Sequence, residues 1–192
     1  MDVYTVVLFL HLLAVVAAFV SGSMIHLGLA RLRTATQVAS ARDAARLVAQ
    51  HGPRMPLIGL ALFVTGAILT QTHWTWRAPW VVLAIVGLVV LQVNGGAVIG
   101  PRLRAAGEQL ARSADGPLSE AVATLLRDPV LATVAGMQGF IAAGVMFIMI
   151  TKPGAVGATA ELLLAMAIGV ARGVPAWRAA ARPAAAQADA AS

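Results

Sequence analysis

The stretch Val3–Ala30, VYTVVLFLHLLAVVAAFVSGSMIHLGLA, is apolar and uncharged, and two histidines, His11 and His26, interrupt it. A transmembrane helix needs about 20 mainly apolar residues. Lipid offers no hydrogen-bond partner to a bare backbone amide, so a segment that crosses a bilayer must be helical. Val3–Ala30 therefore predicts a membrane-spanning α-helix, and the hydrophobic segments that follow predict further helices around it.

The composition indicates an integral membrane protein. Of its 192 residues 59% are hydrophobic, and the mean hydropathy is +0.83, which excludes an ordinary soluble domain. The absence of cysteine excludes disulfides, thiolate metal sites and cysteine nucleophiles. No GxSxG, HExxH or P-loop pattern occurs, so we assign no catalytic residue and predict no enzyme. We interpret the net charge of +6 as a topology signal rather than a sign of nucleic-acid binding.

The distribution of apolar residues predicts an all-α, polytopic bundle with five transmembrane helices. The predicted spans are about 3–30, 57–72, 79–100, 129–151 and 155–174. We expect the third span to stop at Pro101 and the fifth to leave the membrane at Pro175. Together they form one unit, residues 1–178, followed by a small and polar tail, 179–192, which we expect to be disordered.

Residues 34–51 are too polar to span a membrane, but their apolar side chains recur at helical spacing. They predict a short amphipathic helix on the membrane surface, where Arg42 and Arg46 meet anionic lipid head groups. In the second long connection, Asp115-Gly116-Pro117 predicts a turn that precedes another short helix.

The positive-inside rule predicts the orientation. The two long connections and the C-terminal end hold twelve arginines, and the opposite side holds Arg77 and Lys152. The twelve are Arg31, Arg33, Arg42, Arg46, Arg54, Arg102, Arg104, Arg112, Arg127, Arg172, Arg178 and Arg182. We therefore expect an external N-terminus, a cytoplasmic C-terminus and a bacterial inner-membrane location. The first segment lacks a positive n-region, so we expect an uncleaved span.

His11 and His26 are the candidate cofactor-binding residues. At about 1.5 Å and 100° per residue, they lie about 22 Å apart along the helix and about 60° apart around it. Ala18 and Gly22 lie between them on this face, and small residues admit a neighbouring helix or a flat ligand. Three interpretations remain open: structural histidines, haem or metal ligands, and a proton relay.

Counting depth along each predicted span places the buried polar residues in two layers. Glu161 lies at the level of His11 in the outer layer, where it orients that imidazole or favours the start of its own helix. Asn94 and Gln138 join His26 in the inner layer. We expect such groups to face the bundle interior and support the histidines.

Haem b and copper are the cofactors considered. Two histidines about four turns apart on one helix suit two b-type haems, but the third, fourth and fifth spans contain no histidine. Met146 or Met149 is then the available second axial ligand. For copper, His11 and His73 with nearby methionines offer suitable ligand types without a close ligand spacing.

The segment FLHLLAVVAAFVSGSMIHLGLARLR, residues 9–33, and the later ITKPG turn resemble an uncharacterised bacterial family of predicted integral membrane proteins. Leu10-His11 is the most specific element. More distantly, it is similar to copper-resistance D-type and protoporphyrinogen-oxidase-type membrane domains. In the oxidase type a first-helix histidine is implicated in haem binding, so the resemblance implies a ligand role for His11. This chain has no lysine inside a span, where the oxidase pattern has one, so no oxidase activity is carried over.

The predicted function is a small integral membrane protein that holds haem b or a metal ion through a first-helix histidine. The alternative is an accessory or structural subunit without cofactor, docked on a larger membrane complex or on a second copy. Gly96–Gly100 and Gly169–Gly173 match the GxxxG pattern of close helix packing. A transporter is a further alternative, although no internal repeat is present.

Overall fold

A computed structural model describes residues 2–189, with side chains to residue 181. Within that range the chain forms eight α-helices and no β-strand. The helices are α1 Val3–Thr34, α2 Val38–His51, α3 Met55–His73, α4 Pro79–Val93, α5 Gly100–Arg112, α6 Glu120–Leu126, α7 Pro129–Thr151 and α8 Ala155–Asp189. A 3-10 turn, Gly52–Arg54, joins α2 to α3, and a π-helix, Asn94–Ile99, joins α4 to α5.

Five continuous helical segments in the described range are long and apolar enough to cross a membrane. They are Val3–Thr34, Val38–His73, Pro79–Arg112, Glu120–Thr151 and Ala155–Ala181. The predicted fold, an all-α protein with five transmembrane helices, is confirmed. The second, third and fourth segments are longer than their predicted spans because they include the amphipathic helices α2, α5 and α6. The first and fifth extend a few residues beyond the predicted C-terminal ends of their spans.

Helical structure continues past Pro101 and Pro175, the residues at which we expect the third and fifth spans to leave the membrane. Pro101 lies in the first turn of α5, directly after the π-helix, and helical structure continues on both sides of it. Pro175 lies inside α8, which runs on to Asp189. Helix α8 thus includes residues 179–189 of the tail, where alanines have a high helix propensity; the disorder of this tail stays a prediction. Residues 190–192 lie outside the described range.

Three helices, α4, α7 and α8, form a three-helix unit. Ile141 and Ile148 of α7 are fully buried against Ala158 and Leu162 of α8. On the other side of the bundle, α1 packs lengthwise on α3, and we call these two helices the α1–α3 pair.

The helices α2, α5 and α6 gather at one end of the bundle, which we call the arginine-rich end. Their apolar faces form a core with the end of α1 and the start of α7. The buried members of this core are Leu29, Leu32, Ala35, Ala41, Ala44, Val48, Ile99, Ala106, Leu110, Val122, Leu126, Leu131 and Ala135. The amphipathic helix predicted at 34–51 is thus present as α2, but protein, and not lipid, covers its apolar face.

Arg42 holds the loop between α5 and α6 onto α2. Its guanidinium donates to the Asp115 carboxylate and to the backbone carbonyls of Leu110 and Ser113. The predicted contact of Arg42 with lipid head groups is replaced by these protein acceptors. Two backbone hydrogen bonds, Val38 N to Gly116 O and Leu118 N to Thr36 O, both 2.9 Å, tie the same loop to the start of α2. The predicted turn is present, with Gly116 at φ 141°.

Candidate functional site

A cavity of about 870 Å³ lies between the α1–α3 pair and the three-helix unit, on the side of the arginine-rich end. Its wall is built by the helices α1 to α7, the π-helix and the 3-10 turn. Natural ligand pockets have volumes of about 300–1,000 Å³, so this cavity is large enough for a whole small molecule. We call it the His26 cavity, after the one histidine on its wall among the described residues.

The His26 cavity is elongated along the helix axes. On α1 its lining runs from Ala18 to Leu32, which corresponds to about 21 Å at 1.5 Å per residue. Half of a bilayer hydrocarbon core is about 15 Å thick. The cavity therefore extends from near the middle of the expected membrane to the level of the polar surface.

Missing side chains create much of this space. Gly22 of α1 and Gly96 of the π-helix both line the cavity, and a Cβ added at either position would have no other atom within 4 Å. Gly52 and Gly107 behave in the same way at the arginine-rich end. These glycines leave open volume rather than admitting a neighbouring helix.

A few polar side chains stand on this otherwise apolar wall. His26 of α1 faces α7, since its Nε2 lies 3.6 Å from the position that a Cβ of Gly139 would occupy. The Gln92 amide of α4 lies against Gly59 of α3, so a side chain at position 59 would displace it. Ser23 and Arg104 complete the polar lining. An apolar pocket with few convergent polar groups is the usual form of a small-molecule site.

Gln138 of α7 contributes the least satisfied group. Its Nε2 donates to the Leu91 carbonyl at 3.0 Å, while its Oε1 is buried without a hydrogen-bond partner among the described residues. A buried acceptor without a donor costs roughly 1–3 kcal/mol. The amide is therefore held in place at one end and keeps an unused acceptor at the other.

The π-helix gives the α4 wall its shape. Gln138 binds the Leu91 carbonyl just before it, and Arg102 donates from Nη1 to the Val98 carbonyl inside it at 3.1 Å. Arg102 also pairs with Asp128, the N-cap of α7, at 2.9 Å. Short π-helical turns are frequent at functional sites. Here the turn exposes Gly95 and Gly96 to the cavity, between two side chains that stabilise its ends.

The predicted inner layer is only partly present as one cluster. His26 and Gln138 both line the His26 cavity, whereas Asn94 is not among its described lining residues, although it begins the π-helix. Gln92 and Arg104 were not assigned to the site from sequence. The isolated amide of Gln92 inside an apolar span is the signal that indicates it, but Arg104 resembles any other arginine after a span.

His11 lies elsewhere, in the interface of the α1–α3 pair. Its Nδ1 is 2.8 Å from Thr65 Oγ1, and that hydroxyl donates to the Ala61 carbonyl at 2.6 Å. A hydroxyl has one hydrogen, so we assign it as the acceptor of a His11 Nδ1–H. The imidazole ring packs on Gly66, whose Cβ position would be 3.4 Å from His11 Cε1. His11 lines neither this cavity nor the smaller one at the opposite end.

Glu161 does not make the predicted contact with His11. It shares a face of α8 with Ala158 and Leu162, which pack on α7, and its Oε2 is buried without a partner among the described residues. The hydrogen-bond partner of His11 is Thr65 instead. Equal depth along two helices does not make them neighbours, and α1 packs on α3 whereas α8 packs on α7 and α4.

A metal site built only from histidine and carboxylate side chains is not present among the described residues. No three histidine, aspartate or glutamate side chains among them come together as a possible ligand set. His73 stacks its ring on Tyr4, with 3.9 Å between centroids, and so takes part in an aromatic contact at the far end of α3. This arrangement does not fit copper coordinated by His11 and His73.

Comparison with known proteins yields no relative, since no family model, curated protein or solved structure matches this chain. The resemblance of residues 9–33 to the membrane families named above stays a prediction.

Proposed function

We propose that this chain is a multi-pass protein of the bacterial inner membrane that binds a small lipophilic molecule in the His26 cavity. The observation that carries the proposal is the cavity itself, about 870 Å³ of largely apolar space with His26, Gln92 and Gln138 on its wall. The first-helix histidine that we expect to contact a ligand is therefore His26 rather than His11.

The chemistry of these groups suits one polar group on an apolar ligand. A neutral imidazole offers one donor and one acceptor, and each glutamine amide offers two donors and an acceptor. In a cavity without acidic side chains among the lining residues, such groups orient a ligand by hydrogen bonds. The apolar wall supplies the affinity, at roughly 25 cal/mol per Å² of apolar surface removed from water.

We also propose that the arginine-rich end is cytoplasmic. The order of the helices brings α2, α5, α6 and the C-terminal part of α8 to this end, and these elements carry the arginine excess of the sequence. Arg77 and Lys152 belong to the opposite end, where Lys152 stacks over Trp74 at 4.1 Å from the ring centroid. The positive-inside rule then gives an external N-terminus.

Haem b is one ligand of this class. Since His26 is the histidine of the cavity wall, a haem in this protein would take His26 as an axial ligand, and its flat ring would lie among the glycines. An absorption spectrum of the purified protein decides this point. We expect any Soret band to be lost in His26→Leu and kept in His11→Leu.

Photolabelling tests the general proposal. Protein in lipid nanodiscs is illuminated with a neutral long-chain alcohol that carries a diazirine, and the labelled peptides are identified by mass spectrometry. We expect saturable labelling of α1, α3 and α4 around the cavity. Gly22→Leu combined with Gly96→Leu fills the open space and should abolish it.

Gly154→Leu is the control, because Gly154 also has open space around it but lies at the start of α8, away from the cavity. Unchanged labelling in the filled variant would overturn the proposal. The accessory-subunit alternative would then be favoured if other chains co-purify in fixed ratio.

A further inference from the structure

We propose that the ligand of the His26 cavity is an anionic amphiphile of the arginine-rich leaflet, whose carboxylate or phosphate head binds Arg104. This inference rests on the proposed function and deepens it, because it names the chemical class of the ligand. In the proposed orientation, the apolar chain runs from Arg104 toward Ala18, near the middle of the membrane.

The first argument is the charge of the wall. Among the described residues that line the cavity, Arg104 is the one charged side chain, and none is acidic. An amphiphile that fills this cavity therefore meets one fixed positive charge and several neutral hydrogen-bonding groups. A cationic head group would be repelled there, and an anionic one attracted.

The second argument is that Arg104 has no protein partner within ion-pair distance in the described range. The ion pairs of that range join Arg42 to Asp115, Arg46 to Asp43 and Arg102 to Asp128. Glu108 follows Arg104 by one helical turn, the spacing of a helical ion pair, yet the two do not pair.

The Arg104 side chain instead runs back along α5 toward the π-helix. Its Nη2 lies 3.7 Å from the position that a Cβ of Gly100 would occupy. The guanidinium thus lies beside the glycine-rich part of the cavity wall. Arg104 is exposed and makes no hydrogen bond among the described residues, so its donors are available. A guanidinium binds a carboxylate or a phosphate with two parallel hydrogen bonds, which is the geometry an anionic head group offers.

The third argument is the match of lengths. On α5 the lining continues from Arg104 to Leu110, about 9 Å nearer the membrane surface at 1.5 Å per residue, and Ala18 of α1 marks the deep end of the cavity. The lining of about 21 Å along α1 exceeds the roughly 15 Å of one leaflet by about the depth of a head group. In an amphiphile bound in this way, the head group lies at the same depth as in the surrounding leaflet, and the chain points in the same direction.

Competition against the neutral photolabel tests the proposal. The full-length protein in nanodiscs of zwitterionic lipid is labelled in the presence of a long-chain fatty acid, the matched fatty alcohol, a lysophosphatidic acid of equal chain length, or inorganic phosphate. We expect the two anionic amphiphiles to compete at concentrations at least tenfold lower than the alcohol. The better of the two then identifies the head group as carboxylate or phosphate.

Variants assign the effect to Arg104. In Arg104→Gln we expect the advantage of the anions over the alcohol to fall about tenfold or more, and Arg104→Lys should restore part of it. Arg112→Gln is the matched control, since Arg112 ends the same helix and does not line the cavity. It removes the same charge and should leave the competition unchanged.

The outcomes separate the two proposals. If the alcohol and the anions compete equally, or if Arg112→Gln has the same effect as Arg104→Gln, the anion site is refuted while the lipophile cavity stands. The anion site is also refuted if inorganic phosphate competes as strongly as the amphiphiles, because the site would then bind a free ion without an apolar chain. If the neutral label itself does not bind, the proposed function fails first.

Discussion

Replacing one glycine at a time by alanine distinguishes glycines that pack helices from glycines that leave a cavity open. Gly169 of α8 faces α7, and a Cβ added there would lie 2.6 Å from the Met137 Cα. Real Cβ atoms do not approach a backbone atom so closely, so α7 and α8 must move apart. Gly96 matches the same GxxxG pattern in the sequence, but nothing lies within 4 Å of its Cβ position.

The two substitutions should therefore change the free energy of unfolding in opposite directions. Alanine is favoured over glycine inside a helix by up to ~1 kcal/mol, and Gly96→Ala should keep most of that gain. Gly169→Ala has the same gain but adds an overpacking cost of typically 1–3 kcal/mol, because a backbone atom cannot rotate away. We expect a net destabilisation of about 0–2 kcal/mol at position 169.

Thermal unfolding in one detergent, followed by circular dichroism, measures the difference. For a chain of this size 1 kcal/mol shifts Tm by about 2–4 °C, so Gly169→Ala should melt several degrees below Gly96→Ala. Gly22→Ala is a second open-space control and should resemble Gly96→Ala. If Gly169→Ala proves as stable as these controls, the close contact of α7 with α8 is refuted.

Three further substitutions test single interactions by the same melting assay. Thr65→Val removes the hydrogen bond between His11 of α1 and Thr65 of α3. It should lower the free energy of unfolding by about 0.6 kcal/mol, and by no more than ~1.7 kcal/mol. Thr72→Val is its control, since the Thr72 hydroxyl donates only within its own helix. Glu161→Leu should raise Tm, because the buried Oε2 lacks a partner in the described part of the chain, and a lower Tm would reveal one. Arg42→Lys should lower Tm, since an ammonium cannot reach all of the acceptors that the guanidinium bridges. Arg46→Lys is its control and should leave Tm unchanged, because Arg46 forms only an exposed ion pair.

The extent of the helices was predictable only in part, and the prolines show why. Apolar length identifies a span, because each residue in lipid must be apolar and each backbone group must be paired within the helix. A proline such as Pro101 gives a weaker signal, since it is equally compatible with the end of one helix and the first turn of the next. Whether the two helices continue in line depends on the π-helix between them and on side chains from elsewhere, such as Gln138.

The depth of each site residue along its helix was predictable, but the neighbouring helix that its side chain faces was not. Counting residues predicted that His26 and Gln138 lie at one level, and both line the same cavity. The same counting placed His11 and Glu161 at one level and left a pair between them open, but the two residues belong to different helix contacts. Depth follows from position along one helix, whereas a contact requires two helices to be neighbours and to turn the right faces toward each other.

The sequence by itself determined that this protein is an all-helical bundle with five segments able to span a membrane, because apolar length and backbone pairing are properties of each segment alone. Only the tertiary structure decided which polar groups meet, which glycines pack and which leave space, and that Arg104 borders the His26 cavity. Those outcomes depend on the order and rotation of the helices around one another. Many weak contacts between distant residues set that arrangement, and no single stretch of the chain records it.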